Sequence, residues 1–270
     1  VEVGATNKTH LEDYAKAITP QTAMILKVHR SNFYIGGFTD DPSILELAEL
    51  AHSHGLPLIE DIGSGALMNT DELAPIDHEP KPQDSLKNGV DLVCFSGDKL
   101  LGGPQSGIIA GKAALIEGIK KEPFFRAVRC DKLILTVLQE CIDTYLETKS
   151  SNTTSKVPAL DFIGKDISSL RQRAEAIIEH IPSNIRDQFA VSETTARTGG
   201  GTMPKSEIPS LAISIAPKHV SVNQLAYRFR TGCPAVVGTV VDNTLHLDLR
   251  TVFEQQDHAL GDAIIQALAN

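Results

Sequence analysis

The apolar positions of this chain fall into short continuous runs separated by stretches with helical spacing. Ala23 to Val28 is one run, with a lysine near its end. Leu56 to Ile62 is a second, carrying Glu60 and Asp61 near its end before Gly63-Ser64-Gly65, and Asp91 to Phe95 is a third. Runs this short, bounded by glycine, proline and polar clusters, predict buried strands. Between the first two, Ile44, Leu45, Leu47, Ala48 and Ala51 recur with helical spacing. Asp41 and Pro42 are the expected N-cap and first turn of that helix, and Gly55 its C-cap. Thr9-x-x-Glu12 predicts a capping box that opens a short helix through Ile18. Strand, helix, strand, loop, strand is a βαβ-type alternation, so the expected sheet is parallel or mixed. Ser106 to Ala110 predicts a further strand, and Ala113 to Lys121 and Lys132 to Thr148 predict helices.

Lys149 to Val157 is polar and rich in Ser, Asn and Thr, which predicts a loop at a domain boundary. The expected domains are therefore 1–150 and 151–270. In the second, helices are expected over Ser168 to His180, Val222 to Phe229 and Phe253 to Leu268, and a strand over Leu211 to Ile215. Ala235 to Val241 and Thr244 to Leu249 read as a hairpin turned at Asp242-Asn243. This order makes a compact α+β domain.

Composition narrows the function classes. The 270 residues are 41% hydrophobic and 22% charged, ordinary for a globular protein. The net charge of -9 argues against a nonspecific nucleic-acid binder. No apolar stretch is long enough to cross a bilayer, and Val1-Glu2-Val3-Gly4 lacks the basic region and apolar core of a signal peptide. The four cysteines show no CxxC spacing, so a reduced, cytoplasmic protein is expected. The absence of an initiator Met and the apolar opening predict a piece of a longer protein.

The candidate chemistry lies after the third run. Lys99, in Ser96-Gly97-Asp98-Lys99, stands past a strand and before Gly102-Gly103. A lysine fixed there can hold pyridoxal phosphate (PLP) as a Schiff base if its surroundings lower its pKa; otherwise it is a solvated lysine. Asp61, at the carboxyl end of the preceding strand, is either the partner that keeps the PLP pyridine nitrogen protonated or a cap on the next turn. Arg126 and Arg129, three apart, share a face if helical, and either clamp a phosphate-type anion or pair with surface acids. His29 and Arg30 end a strand, and either line the same cavity or serve as cap and core. His52 and His54 read as answers to a helix dipole. Gly199-Gly200-Gly201 reads as a tight turn in the second domain, and Cys130 and Cys141 as packing residues.

The segments Glu2 to Tyr14, Leu26 to Thr39, EDIGSGAL (Glu60 to Leu67), FSGDKLLGGPQSGII (Phe95 to Ile109), Arg126 to Leu135, GGGTMP and LDLRTV resemble the bacterial selenocysteine synthases, the L-seryl-tRNA(Sec) selenium transferases, in the family's order along essentially the whole chain. The resemblance implies PLP-dependent fold type I (aspartate-aminotransferase-like), here a partial large domain plus a C-terminal α+β small domain, without the family's N-terminal portion. It implies conversion of L-seryl-tRNA(Sec) to L-selenocysteinyl-tRNA(Sec) through an aminoacrylyl intermediate, with selenophosphate as selenium donor. By the same resemblance Lys99 is the Schiff-base lysine and α-proton base, Asp61 the pyridine partner, Ser96 a phosphate donor, and Asp98 a group that positions Lys99 or substrate. Arg126 and Arg129 are the selenophosphate or leaving-group site, and the assembly is a homo-oligomer built from dimers. The chain departs from the family pattern at Lys8, Ala5 and Glu60, where Arg, Thr and Thr are more usual. The alternatives are another fold-type-I lyase or aldolase acting on a small amino acid, and a folded, non-catalytic fragment.

Overall fold

A computed structural model describes residues 1–151, 156–199 and 201–269. The chain divides into two compact units, Val1–Asp161 with Thr198–Ser206, and Phe162–Arg197 with Glu207–Asn270. The middle of the expected boundary loop, residues 152–155, lies outside the described residues. No helix among the described residues is long and apolar enough to cross a membrane.

The first unit runs α1 (Leu11–Ala17), β1 (Ile25–Val28), α2 (Ile44–Ser53), β2 (Leu58–Gly63), α3 (Pro82–Lys87), β3 (Leu92–Ser96), β4 (Gly107–Gly111), α4 (Ala113–Lys121), α5 (Phe125–Val128) and α6 (Lys132–Ser151), and the chain passes into the second unit within α7 (Pro158–Gly164). Its sheet is mixed, in the order β1-β2-β3-β4: the first three strands are parallel, and β4 returns antiparallel to β3. The register sets Val28 beside Asp61 and Asp61 beside Cys94. The carboxyl ends of three strands therefore share one edge, where open α/β sheets bind ligands. Leu47, Ala48 and Ala51 of α2 pack with Leu58, Ile62 and Val93 into one core.

Two helix starts of the first unit differ from expectation. Ser43, not Asp41, caps α2: its Oγ accepts from Glu46 N (3.3 Å) while the Glu46 carboxylate accepts from Ser43 N (2.8 Å). Asp41 instead pairs with Lys27 (3.5 Å) and Arg30. The α1 box is one residue later than Thr9 and Glu12, with His10 N donating to Asp13 (2.9 Å). In both cases a nearby carboxylate with a better-placed backbone donor wins the cap. The short α3, opened by Pro82, lies in the stretch read as loop.

The second unit runs α8 (Ile167–His180), β5 (Phe189–Ala196), β6 (Ile208–Ile215), α9 (Val222–Thr231), β7 (Thr239–Val241), β8 (Thr244–Asp248) and α10 (Asp257–Ala269). Its antiparallel sheet has the order β5-β6-β8-β7. Asp242 (φ 47°) and Asn243 (φ 59°) both take the left-handed conformation that a two-residue hairpin turn needs, as their residue types predict. Leu170, Ala174 and Ile177 of α8, Leu225 and Phe229 of α9 and Ile264 of α10 bury against Leu211 and Ile213. Buried Arg250, in the LDLRTV segment, donates to the carbonyls of Phe162 (2.8 Å), Ile163 (3.0 Å) and Lys165 (3.1 Å). It thereby satisfies backbone acceptors left where a helix ends.

Candidate active site

β3 ends at Ser96, and the chain then folds back on itself. Gly97 N donates to Ser106 O (2.8 Å), Gly103 N to Gly97 O (2.8 Å) and Gly102 N to Lys99 O (2.9 Å). Gly102 sits at φ +74°, and an added Cβ would press within 2.5 Å of Val157. Leu100 N donates to Ser64 O (2.9 Å), which ties this turn to the end of β2. Leu100 and Leu101 are buried, and α6 holds their carbonyls. Tyr145 Oη donates to Leu100 O (3.2 Å) and Leu101 O (3.0 Å), and Cys141 Sγ to Leu101 O (3.4 Å). The backbone around Lys99 is thus fixed while its side chain is only half-buried.

Two glycines border the amine. A Cβ on Gly63 (φ +66°) would lie 3.6 Å from Lys99 Nζ and 3.0 Å from Ser31 Oγ. One on Gly201 (φ +90°) would lie 3.2 Å from Nζ and 3.1 Å from Cε. Gly63 also holds the acid: its N–H donates to Asp61 Oδ1 (3.1 Å). Asp61 O in turn accepts from His29 N (2.8 Å). Burial, and then the charge of Asp61, push the Cys94 thiol upward. Lys99 and Asp61, far apart in sequence, therefore border the same glycine.

The glycine triplet is a correction to the sequence reading. Thr198–Ser206 packs with the first unit, and Gly201 abuts Lys99; Gly200 lies outside the described residues. Ser206 anchors this segment, accepting from Asp77 N (3.0 Å) and donating to Asp77 Oδ2 (3.2 Å). Lys205 lies over the Tyr34 ring, 4.5 Å from its centroid. Two buried hydroxyls on the segments that hold the lysine, Ser64 Oγ and Thr202 Oγ1, have no hydrogen-bond partner among the described residues.

The other expected residues are distributed as follows. Ser96 is half-buried at the end of β3, and Asp98 is exposed one residue before the lysine. Arg126 lies in the one-turn α5, and Arg129 keeps its register through an N–H bond to Phe125 O (3.0 Å). Both arginines are exposed, and among the described residues neither makes an ion pair or a hydrogen bond to the lysine turn. His29 Nε2 lies 3.3 Å from buried Glu79, and Arg30 pairs with Asp41. His52 binds buried Asp91 (3.0 Å) rather than only capping its helix. Burial pushes the Cys141 thiol up, as suits a packing residue.

Sequence reasoning did not find Gly201, Ser64, Thr202 or Tyr145. Glycine repeats and a lone tyrosine carry no periodic signal, and their roles exist only through contacts distant along the chain.

Comparison with known proteins gives the family. The model of the L-seryl-tRNA selenium transferase family matches residues 1–253. The L-seryl-tRNA(Sec) selenium transferase of Aquifex aeolicus is 40% identical over 257 residues, covering 94% of this chain and 55% of that protein. Its counterpart in Moorella thermoacetica is 40% identical over 270 residues, covering 99% and 57%. The chain thus spans about half the length of the curated relatives it matches. The solved structure of a D-glucosaminate-6-phosphate ammonia-lyase superposes with a TM-score of 0.60 at 19% identity, over 100% of this chain and 63% of the other. That likeness is one of fold: the mixed α/β sheet unit and the smaller C-terminal α+β unit are those of fold-type I PLP enzymes. From residue 1 to residue 253, and at this level of identity, the chain belongs to the L-seryl-tRNA selenium transferase family.

Proposed function

We propose that this chain carries the lysine-bearing part of a cytoplasmic, PLP-dependent enzyme that converts L-seryl-tRNA(Sec) to L-selenocysteinyl-tRNA(Sec) with selenophosphate. In this reading the first unit is the C-terminal part of the large PLP-binding domain and the second unit the small domain, within a homo-oligomer built from dimers. The observation that carries the reading is the Lys99 amine bordered by two glycines, one of which donates its N–H to Asp61. This lining fits PLP. It offers an amine for the aldehyde, a carboxylate for the ring nitrogen, space that side chains at Gly63 and Gly201 would narrow, and two buried hydroxyls without hydrogen-bond partners among the described residues.

Bound there, PLP supplies an electron sink for breaking bonds at the substrate α-carbon. Lys99 Nζ holds the cofactor and, when released, takes the α-proton. The anchored turn keeps that nitrogen in position, so little orientation has to be found during reaction. Asp61 opposes loss of the proton from the ring nitrogen, and Ser96 donates to the phosphate. Asp98 positions Lys99 or a substrate group. Arg126 and Arg129, free of acidic partners among the described residues, offer two guanidinium forks to selenophosphate or to the departing group. His29 and Arg30 line the approach from β1 while paired with Glu79 and Asp41.

The test is borohydride reduction of the purified chain with added PLP, followed by peptide mass mapping. A pyridoxyl adduct confined to Lys99, absent in Lys99→Ala, is expected. An adduct spread over surface lysines, or none on Lys99 in either this chain or its longer parent, sinks the reading. Replacing seryl-tRNA(Sec) with free serine in a selenium-transfer assay of the parent enzyme separates this function from a lyase acting on small amino acids; only the tRNA substrate is expected to react.

A further inference from the structure

In the second unit, α8 and α10 bring together two histidines and an aspartate that the proposed reaction does not use. His258 and Asp262 are one helical turn apart on α10, and His180 is the last residue of α8. His258 Nδ1 lies 3.2 Å from Asp262 Oδ2, and His180 Nε2 lies 3.8 Å from Asp262 Oδ1. The two imidazoles are 5.1 Å apart at their centroids and inclined by 47°, so they converge rather than stack flat. One donor atom from each residue fits within 4.8 Å of the other two.

We infer that His180, His258 and Asp262 form a binding site for a divalent transition cation of the zinc class, which clamps the end of α8 to α10. The donor set decides the class of ion. Two imidazole nitrogens and one carboxylate suit Zn²⁺, Ni²⁺ or Cu²⁺, whereas Mg²⁺ and Ca²⁺ require mostly oxygen. The spacing is also right. Metal–donor bonds of roughly 2.0–2.1 Å in tetrahedral geometry put neighbouring donors about 3.3 Å apart. The observed separations, 3.2 Å from His258 Nδ1 to one Asp262 oxygen and 3.8 Å from His180 Nε2 to the other, lie near that value, and side-chain rotation can draw the three donors, all within 4.8 Å of one another, onto one ion. The three side chains are 46–77% exposed, so they are free to rotate and a hydrated ion can enter.

The backbone beneath them is fixed. Ala174 and Ile177 of α8 share a core with Leu260 and Ile264 of α10. On the same helix pair, Arg173 Nε and Nη2 reach the two Asp257 oxygens at 2.8 and 2.7 Å. The helices thus hold the ligands in register without the ion. Three protein ligands leave the remaining position to water, so the site is an open surface chelate and not a sealed structural one.

The experiment is calorimetric titration of the chelator-treated chain with Zn²⁺, paired with thermal melts. One equivalent is expected to bind and to raise the melting temperature, because an ion that binds only the folded state stabilises it. Equimolar Mg²⁺ is expected to leave the melt unchanged. His180→Ala and His258→Ala should each weaken binding about tenfold or more, since even partners one shell further out cost that much. Both side chains are exposed, and circular dichroism checks that the variants fold. Absence of binding overturns the proposal. So does an unchanged affinity in the His180→Ala/His258→Ala double variant, which would assign the zinc to the cysteines or other histidines.

Discussion

Gly201 is the residue on which the environment of the amine turns. It sits at φ +90°, with Lys99 Cε and Nζ only 3.1 and 3.2 Å from where its Cβ would be, whereas Gly199 sits at φ +93° with open space around it. Alanine at either position pays the left-handed backbone cost of roughly 1–2 kcal/mol. Only Gly201→Ala also displaces Nζ. Both variants should therefore lose similar stability in chemical denaturation, while only Gly201→Ala loses PLP affinity, by about tenfold for each ~1.4 kcal/mol of misplacement. Equal PLP titrations for the two variants would show that the contact with Lys99 is immaterial. None of this is visible in the string GGG, which is compatible with any tight turn. The lysine and aspartate were legible because each follows an apolar run whose end marks the ligand-binding edge of a parallel sheet.

At the scale of elements, the lysine turn is held from α6. Tyr145 gives its hydroxyl to the Leu100 and Leu101 carbonyls from one side, and Ser64 O takes the Leu100 amide on the other. Tyr145→Phe leaves those carbonyls without that donor and should cost about 1–2 kcal/mol. The same change should quicken amide exchange at Gly102 and lower PLP occupancy of Lys99, both readable by mass spectrometry. Unaltered exchange at Gly102 would mean that the turn is held without α6. Helical spacing disclosed α2, α4, α6, α8 and α9 because their apolar stripes are periodic. It missed β5, Phe189–Ala196, whose Ser192, Glu193, Thr194 and Thr195 mask a strand that pairs with β6 along its whole length. It misplaced the starts of α1 and α2, because the winning cap depends on which carboxylate reaches which amide.

For the molecule as a whole, two buried acids of the first unit pull stability in opposite directions with pH. Burial raises Glu60 above the ordinary carboxyl range, against weaker opposing effects of Ser85, His29 and Lys27, and its Oε2 has no hydrogen-bond partner among the described residues. The folded chain then keeps a proton that the unfolded chain has released, so stability falls as pH rises from the normal glutamate value through the raised one. Asp91 is the reverse case. Burial pushes it up, but bonds from Lys112, Leu58 N and His52 outweigh this and hold it low. Its contribution is present above the unfolded value and is lost as pH falls through the folded one. Glu60→Gln should therefore flatten the decline that begins just above the ordinary glutamate range and leave the acid limb, governed in part by Asp91, in place. Denaturation midpoints measured across pH check this; a decline identical to the parent's would assign it to another group.

What the sequence by itself determined is the local physics. Apolar runs marked the strands, helical spacing marked the longer helices, Asp242-Asn243 marked the hairpin, and the SGDKLLGGPQ and EDIGSG segments carried the lysine, the aspartate and the family. The tertiary structure alone decided which distant segments meet. It brought Thr198–Ser206 to Lys99, Tyr145 beneath the lysine turn, Glu79 to His29, and His180 to His258 and Asp262. Periodicity follows from the repeat of a single element, so one chain segment suffices to reveal it. A contact between segments depends on sheet order, register and the packing of two cores, and none of these is a property of either segment alone.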